Sequence, residues 1–560
     1  MVNLQLTCGR RKLQWVLLYV ILVCVFLAAI YLLIKYVGNS NDEYIYQSLR
    51  LLDDVSTNSL ESDFYVAAVV EYEVLKGIDV SSSLQKNLQF TLDAIAECGR
   101  NLPMVDIVVF PEGTLYGFSS IPIMRQSAIF ISTYVPSADA FIVPCDHEHY
   151  TESHLRKLSC AARENKIYVA VNVLEKVHSP KSLAWDGLIF HNTEVVFDRN
   201  GMVIARYRKF NLYTERWTNH IDSTDEPELV TFKTDFGVEF GVFTCFDMFF
   251  VEPALQLVQE RNIKHFIFSA QLMNRLPFFS ISSFLYDWSY TTDVFLLAST
   301  APYPTNTFGT NIYFGRRTGT LTYYKPFQTS NIIVSPVPKD PAYSNLEYPN
   351  EYKSLQKYIP KKMKPSWFLL EHITNRMTTR KLVTNLNETS ATFTYKSSTF
   401  ECNITASWQQ FIFVPNYRFA AYSGLNNSTL ASINFYTEMC GITLCSQASL
   451  TYCIEPPLFS EAWRLIFQSI HISARSTVLD SSIRIPAAFN ADLAALEGSN
   501  FDFSSNLEND SGRMVNHVNM ILKRPSVNLL TFGILKLDTR ANPATNFNHF
   551  DVMTNVDVVM

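Results

Sequence analysis

The chain has no long run of lysine or arginine in the part expected to fold, and its formal net charge is only −6 over 560 residues. The electrostatic footprint of a nucleic-acid binder is therefore missing, and nucleic acid is not an expected partner. Four catalytic signatures are absent as well: the G-x-S-x-G elbow, the G-x-x-x-x-G-K-[ST] phosphate loop, the H-E-x-x-H pair and the G-x-G-x-x-G turn. Their absence removes the commonest hydrolase, kinase and dehydrogenase readings. No C-x-x-C pair offers half a zinc site. His147, His149 and His154 in DHEHYTESH read as solvated loop residues beside Asp and Glu rather than as metal ligands. There is no internal repeat and no low-complexity tract.

What the chain does have is length for two or three domains, each able to bury a core. Arg10, Arg11 and Lys12 precede WVLLYVILVCVFLAAIYLLI (15–34), an unbroken apolar run matching the ~20 residues of a membrane-spanning helix. The positive-inside rule then predicts a cytosolic flank over 1–14 and a single-pass type II anchor at 15–34, with residues 41–560 outside the cytosol. A long signal cleaved after Ser40 is the alternative. Either way the bulk is exported, held at the extracellular face of the membrane or secreted. The C-terminal NVDVVM has no hydrophobic tail, against a lipid anchor of the GPI type.

Two features agree with export. Asn387, Asn403, Asn426, Asn427 and Asn509 each begin an N-x-[ST] glycosylation triplet. Cys402, Cys440, Cys445 and Cys453 crowd together, whereas the cysteines of the middle of the chain are scattered. In an oxidising compartment the cluster predicts two disulfides, with a zinc site as the lesser alternative and the pairing left open.

Short β-rich apolar runs alternate with helical patterns over 60–335, which predicts an α/β domain. Strands are expected at 64–73, 104–112, 166–176, 188–198, 202–213, 239–247, 264–271 and 294–300, with helices at 84–99 and 252–262. The strands are nearly continuously apolar, as in a sheet buried on both faces. Residues 336–380, rich in Pro, Tyr, Asn and Lys, read as a linker. Over 381–550 alternating Thr/Ser-rich segments predict a smaller, mainly β domain carrying the disulfides.

Three unlike residues then stand out: Glu112 ends a strand in VVFPEGTLYGF, Lys209 lies in a strand with Arg206 and Arg208 in ARYRKFNLY, and Cys245 ends its strand in FGVFTCFD. Carboxyl ends of strands line the ligand crevice of an α/β sheet. A thiolate is the strongest ordinary side-chain nucleophile but is scarce at neutral pH, so it needs a base or a cation nearby. Glu112 suits the base, and Lys209 suits the cation that holds an oxyanion. Each also has a plain reading: a buried small hydrophobe, a turn and a solvated lysine.

FPEGTLYGF, ARYRKFNLYTE and GVFTCFDMFF, in that order, resemble the Glu-Lys-Cys signature of the nitrilase superfamily of carbon-nitrogen hydrolases. The stretches FYVAAVVEYE, VPCD, LSCAARENKIYVAVNV and MNRLPF, with the spacing of Cys440, Cys445 and Cys453, are similar to its vanin and biotinidase branch. The resemblance implies an α-β-β-α sandwich followed by a vanin-type β domain. It implies Glu112 as proton acceptor, Lys209 as proton donor and oxyanion stabiliser, and Cys245 as nucleophile of a thioester mechanism without metal or organic cofactor. The implied partner is a small-molecule amide, pantetheine foremost and biotinyl-lysine next.

The chain departs from the vanin pattern in its fewer C-terminal-domain cysteines and in three places near the site. Gly113 stands where an acidic residue is usual, Leu272 where a Trp is expected, and the second pocket glutamate is Glu215, one residue nearer the lysine. Glu215 and Asn274 are the candidate pocket residues. A second function class, a catalytically silent membrane-held glycoprotein serving as a binding module, stands beside the amidase.

Overall fold

A computed structural model describes residues 63–538, except the segments 76–78, 101–104, 118–122, 216–219, 302–308, 328–329, 349–375, 383–386, 411–414, 429–432, 446–464, 478–482 and 511–512 and residues 152, 214, 273 and 321. The expected flank and anchor at 1–34, most of the 336–380 linker, and Cys453 lie outside the described residues. Among those described, no helix is long and apolar enough to cross a membrane. Asn58–Glu347 and Gln356–Met560 form one compact unit; of the other, Met1–Thr57 with Tyr348–Leu355, only Tyr348 is described.

The first half is built from strands β1 (Phe64–Glu71), β2 (Val105–Val109), β3 (Tyr168–His178), β4 (Leu188–Phe197), β5 (Val203–Arg208), β6 (Thr231–Lys233), β7 (Glu239–Thr244), β8 (His265–Ala270), β9 (Phe295–Thr300), β10 (Asn311–Phe314), β11 (Tyr323–Phe327) and β12 (Ser330–Pro338). They make a seven-stranded sheet in the order β11-β12-β1-β2-β3-β4-β5 and a five-stranded sheet in the order β10-β9-β8-β7-β6. The central strands run parallel, β1 with β2, β2 with β3, β7 with β8 and β8 with β9. The two sheets face each other, β1 against β9 and β2 against β8. Tyr65 to Val70, Val105 to Val109 and Phe266 to Ala270 are buried throughout, which is why these strands are almost continuously apolar, broken only by Asp106 and Ser269, rather than alternating.

Helices close the outer faces. In α1 (Val80–Arg100) the buried Leu84, Leu88, Thr91, Ala94, Ile95 and Cys98 recur at three- and four-residue spacing and make one inward stripe. A short α2 (Arg125–Ile131) follows, and α3 (His154–Asn165) packs on α1. The Ser153 side chain accepts from Arg156 N–H to start α3, and Lys166 in the left-handed region ends it. Helix α4 (Ile281–Thr292) lies over the second sheet. The helix expected at 252–262 is only a π-type turn, Val251–Leu255, followed by one α turn, Gln256–Gln259. This is an α-β-β-α sandwich.

The second half is a β-sandwich. Strands β13 (Thr378–Lys381), β16 (Tyr417–Ser428), β17 (Ile433–Leu444), β22 (Leu529–Asp538) and β19 (Arg484–Asn490) form one sheet. Strands β14 (Ser390–Lys396), β15 (Phe400–Gln410), β18 (Leu465–Ser476), β21 (Arg513–Leu522) and β20 (Phe501–Asp510) form the other. Trp408, Tyr417, Phe419, Phe467 and Phe532 fill the space between. The segment expected to be a linker therefore begins inside β12 and ends inside β13, because both strands are paired at those residues.

Cys402 of β15 and Cys440 of β17 are joined, a disulfide across the sandwich from one sheet to the other. Cys445 is disulfide-bonded too. A bridge that the scattered central cysteines did not suggest joins Cys145 to Cys160 of α3. The β-sandwich docks on α4 and the segment before it: Leu276 enters its core, Thr531 Oγ1 donates to Pro277 O at 2.6 Å, and Ser280 Oγ donates to Leu493 O at 2.8 Å.

Candidate active site

All three candidate residues lie just past the strands expected to carry them. Strand β2 stops at Val109, β5 at Arg208 and β7 at Thr244, so Glu112, Lys209 and Cys245 sit in the turns that follow. The difference has a physical cause: strand pairing runs out where the chain bends over the ends of the sheets. Cys245 has φ 49° and Gly113 has φ 66°, both in the left-handed region. A cysteine rarely adopts that conformation, and such strain concentrates at functional turns. Thr244 N–H donates to Asp247 Oδ2 at 3.2 Å, which fixes the turn after the nucleophile position. Asp247 is held in turn by Tyr207 OH at 2.6 Å and by the backbone and side-chain amides of Asn211.

The structure brings Glu112, Lys209, Cys245 and Glu215 together. Glu112 and Lys209 are each 1% exposed, Glu215 4% and Cys245 5%. Lys209 Nζ donates to Glu112 Oε1 at 2.8 Å and also to Glu215 Oε1. Asn192 Nδ2 donates to the same Glu112 Oε1 at 2.8 Å, and Gln271 N–H donates to Glu112 Oε2 at 3.0 Å. The Cys245 thiol donates to Gln271 O at 3.6 Å, the carbonyl of the residue whose N–H holds Glu112 Oε2.

Charge in this dry space is set by partners. Burial pushes the Glu112 carboxyl up, Lys209 draws it down and Glu215 pushes it up again, leaving it above the ordinary carboxylate range. Burial works against the Lys209 charge, but Glu112 and Glu215 outweigh it and hold its pKa well above the usual lysine value. Burial and then the Glu112 charge push the Cys245 thiol well up, with Lys209 opposing them. The thiol is thus held towards its neutral form, and Lys209 is held as a cation between two acids.

The other candidates divide. Glu215 is in the site. Asn274 is buried, and its Oδ1 accepts from Ile281 N–H at 2.8 Å, so it caps the start of α4. Asn387, Asn403 and Asn509 are exposed, while the side chains of Asn426 and Asn427 lie outside the described residues. The residues that sequence reasoning missed are Asn172, Asn192 and Glu194, which line the back of the site. The signal was visible: polar side chains in the middle of the apolar runs YVAVNV and LIFHNTEVVF.

The Carbon-nitrogen hydrolase family matches residues 66–280, and the Vanin C-terminal domain family matches residues 369–541. Vanin-like protein 1 of Drosophila melanogaster is 32% identical over 500 residues, covering 85% of this chain and 86% of that one. Pantetheinase of Homo sapiens is 26% identical over 412 residues, covering 70% and 76%. Biotinidase of Takifugu rubripes is 36% identical over 261 residues, covering 43% and 50%. With both domains matched and a relative alike over most of its length, the chain belongs to the vanin branch of the nitrilase superfamily and is a carbon-nitrogen hydrolase.

Proposed function

We propose that this chain is an exported amidohydrolase that cleaves a linear amide through Glu112, Lys209 and Cys245, with pantetheine as the foremost substrate. The observation that carries the reading is the fixing of Glu112: Oε1 is held by Lys209 and Asn192, and Oε2 by the Gln271 amide whose carbonyl faces the thiol. A carboxylate so held is a base aimed at one proton.

In the proposed course, Glu112 takes the thiol proton as Sγ attacks the substrate carbonyl carbon. The oxyanion is met by Lys209 Nζ and by the N–H of Phe246, the residue after the nucleophile. Collapse breaks the C–N bond, Glu112 returns its proton to the departing amine, and a thioester remains on Cys245. Glu112 then takes a proton from water, hydroxide adds to the thioester, and the acid leaves as the thiol is reprotonated.

Pantetheine is favoured because a relative alike over 76% of its length bears the name pantetheinase; a biotinidase-like substrate is the second choice on the shorter match. Beside the site an aromatic group, Tyr213, Phe246, Phe249 and Phe435, suits the apolar stem of an acyl chain. The disulfides Cys145–Cys160 and Cys402–Cys440 support export, since such bridges persist in oxidising compartments. The membrane anchor at 15–34 and the glycosylation of Asn387, Asn403, Asn426, Asn427 and Asn509 belong to the same proposal.

The experiment mixes purified protein with a chromogenic anilide of pantothenate or with biotinyl-lysine, quenches early and maps peptides. An acyl adduct on the Cys245 peptide with release of amine is expected. Turnover with neither compound, together with a Cys245 that resists haloacetamide in the folded protein, would favour the binding-module reading.

A further inference from the structure

Next to Glu112 a chain of polar side chains runs through otherwise apolar strands. Asn172 of β3 and Glu194 of β4 are register partners, so their side chains leave the same face as close neighbours. Glu194 is 1% exposed. Ser269 of β8, in the facing sheet, donates to Glu194 Oε2 at 2.6 Å, while Oε1 has no partner at full hydrogen-bond geometry. Asn172 Oδ1 accepts from Gly113 N–H at 2.8 Å and Tyr116 OH at 3.3 Å. Its Nδ2 donates to Asn192 Oδ1 at 2.7 Å, and Asn192 Nδ2 donates to Glu112 Oε1 at 2.8 Å.

An amide group can be turned over with almost no change of shape, so only its neighbours decide which end is which. Two donors stand on the oxygen side of Asn172. On its nitrogen side Asn192 takes one proton, and the second is left on the side of its register partner Glu194, whose Oε1 makes no hydrogen bond. The direction of Asn172 sets that of Asn192, and the direction of Asn192 sets whether Glu112 Oε1 meets a donor or an acceptor.

We infer that Glu194 is a positioning residue for the proposed base: standing opposite Asn172, it keeps the Asn192 amide aimed at Glu112 Oε1 and so leaves Oε2 to the N–H of Gln271, the residue whose carbonyl takes the Cys245 thiol. The inference rests on the reading of Glu112 as base. Burying a carboxyl here costs desolvation that a packed leucine would not, and a role in orienting the site accounts for its presence.

The groups around Glu194 are Asn172 from β3, Ser269 from β8, and the titratable Tyr207 from β5 and Glu112 and Tyr116 from the segment after β2. Burial pushes the Glu194 carboxyl up to about 8, with Ser269 and Asn172 opposing and Glu112 adding to it. At neutral pH the acid is mostly neutral, with Oε2 accepting from Ser269 Oγ. Above that range its new charge pushes Glu112 up and weakens the aim.

The test uses the full chain with Glu194→Leu and Glu194→Gln, checked for folding by thermal melting. Glu194→Leu is expected to lower kcat about 10- to 100-fold with KM unchanged, the scale of a small misplacement in a reacting group. It should also speed haloacetamide alkylation of Cys245 at pH 8, because a displaced Glu112 no longer holds the thiol up. Glu194→Gln keeps the neutral planar group, so it should stay within roughly 3-fold of wild type in both readouts at neutral pH and lose the alkaline limb near pH 8. Wild-type alkylation and kcat in Glu194→Leu, or equal loss in Glu194→Gln, would overturn the inference. If Glu194→Leu does not fold, an alkaline limb retained in Glu194→Gln overturns it alone. Full turnover by Glu112→Gln would instead sink the base reading, and an inactive Glu112→Gln beside an unaffected Glu194→Leu would sink only this inference.

Discussion

Lys209 Nζ stands 2.8 Å from Glu112 Oε1, and both side chains are 1% exposed. The same ammonium also meets Glu215, so two buried carboxylates depend on one cation. Lys209→Ala should slow amide turnover on the order of 10²–10³ through loss of an oxyanion partner. It should also destabilise the fold by roughly 3–5 kcal/mol, because it leaves buried charge without its partner. Steady-state kinetics and chemical denaturation measure the two losses separately.

Glu112→Gln separates basicity from shape. The Glu112 charge pushes the Cys245 thiol up and Lys209 draws it down, so removing the first and keeping the second lowers the thiol pKa. The thiolate fraction at pH 7 then rises and alkylation of Cys245 speeds up, while amide turnover collapses for want of a proton acceptor. Alkylation and turnover changing in the same direction would contradict this account.

Asp287 of α4 is buried where the two halves of the protein meet; Ser283 Oγ donates to its Oδ2 at 2.5 Å and Ser283 also reaches Ala488 O. Burial pushes its carboxyl well above the ordinary range, with Ser283 and the Ala488 backbone opposing. The unfolded chain releases this proton near the usual Asp value and the folded chain keeps it to higher pH. Stability therefore falls as pH rises through that interval. Asp287→Asn should raise the melting temperature at pH 7, by roughly 1–3 kcal/mol in stability, and have little effect near pH 3.5. A gain of the same size at both pH values would refute the ionisation argument.

Removing the bridge between Cys145 and Cys160 as a paired serine variant should cost about 2–4 kcal/mol. Peptide mapping without reduction should recover the 145–160 and 402–440 pairs from exported protein. Free thiols at these four positions would count against export as well as against the bridges.

Much of the first half was legible. Runs such as FYVAAVVE and HFIFSA are buried on both faces, so hydrophobicity alone placed them. The two-layer arrangement came only from resemblance, since periodicity does not say which strands share a sheet. Helix α2 is seven residues with only Ala128 and Ile131 buried, too short for a helical period to show. At the site, Glu112, Lys209 and Cys245 were readable from their motifs. Asn172, Asn192 and Glu194 were not, because their meaning depends on register between β3 and β4 and on Ser269 arriving from the other sheet. The Gly113 departure now has a reason in the backbone: at φ 66° glycine is free of the ~1–2 kcal/mol that a side chain would add.

The first strand of the protein's α/β half finds one of its two neighbours only at the end of that half: Phe64 of β1 pairs with Pro338 of β12, and Glu71 with Asn331. During synthesis β1 emerges early with one edge unpaired, and β12 leaves the ribosome only after the nucleophile turn and both sheets' other central strands have been made. Closing so distant a pair is slow relative to local contacts, and an open apolar edge invites association with other chains meanwhile. Any truncation before Ser330 would keep Glu112, Lys209 and Cys245 in the sequence yet leave β1 exposed, so a shortened enzyme is expected to aggregate rather than to act.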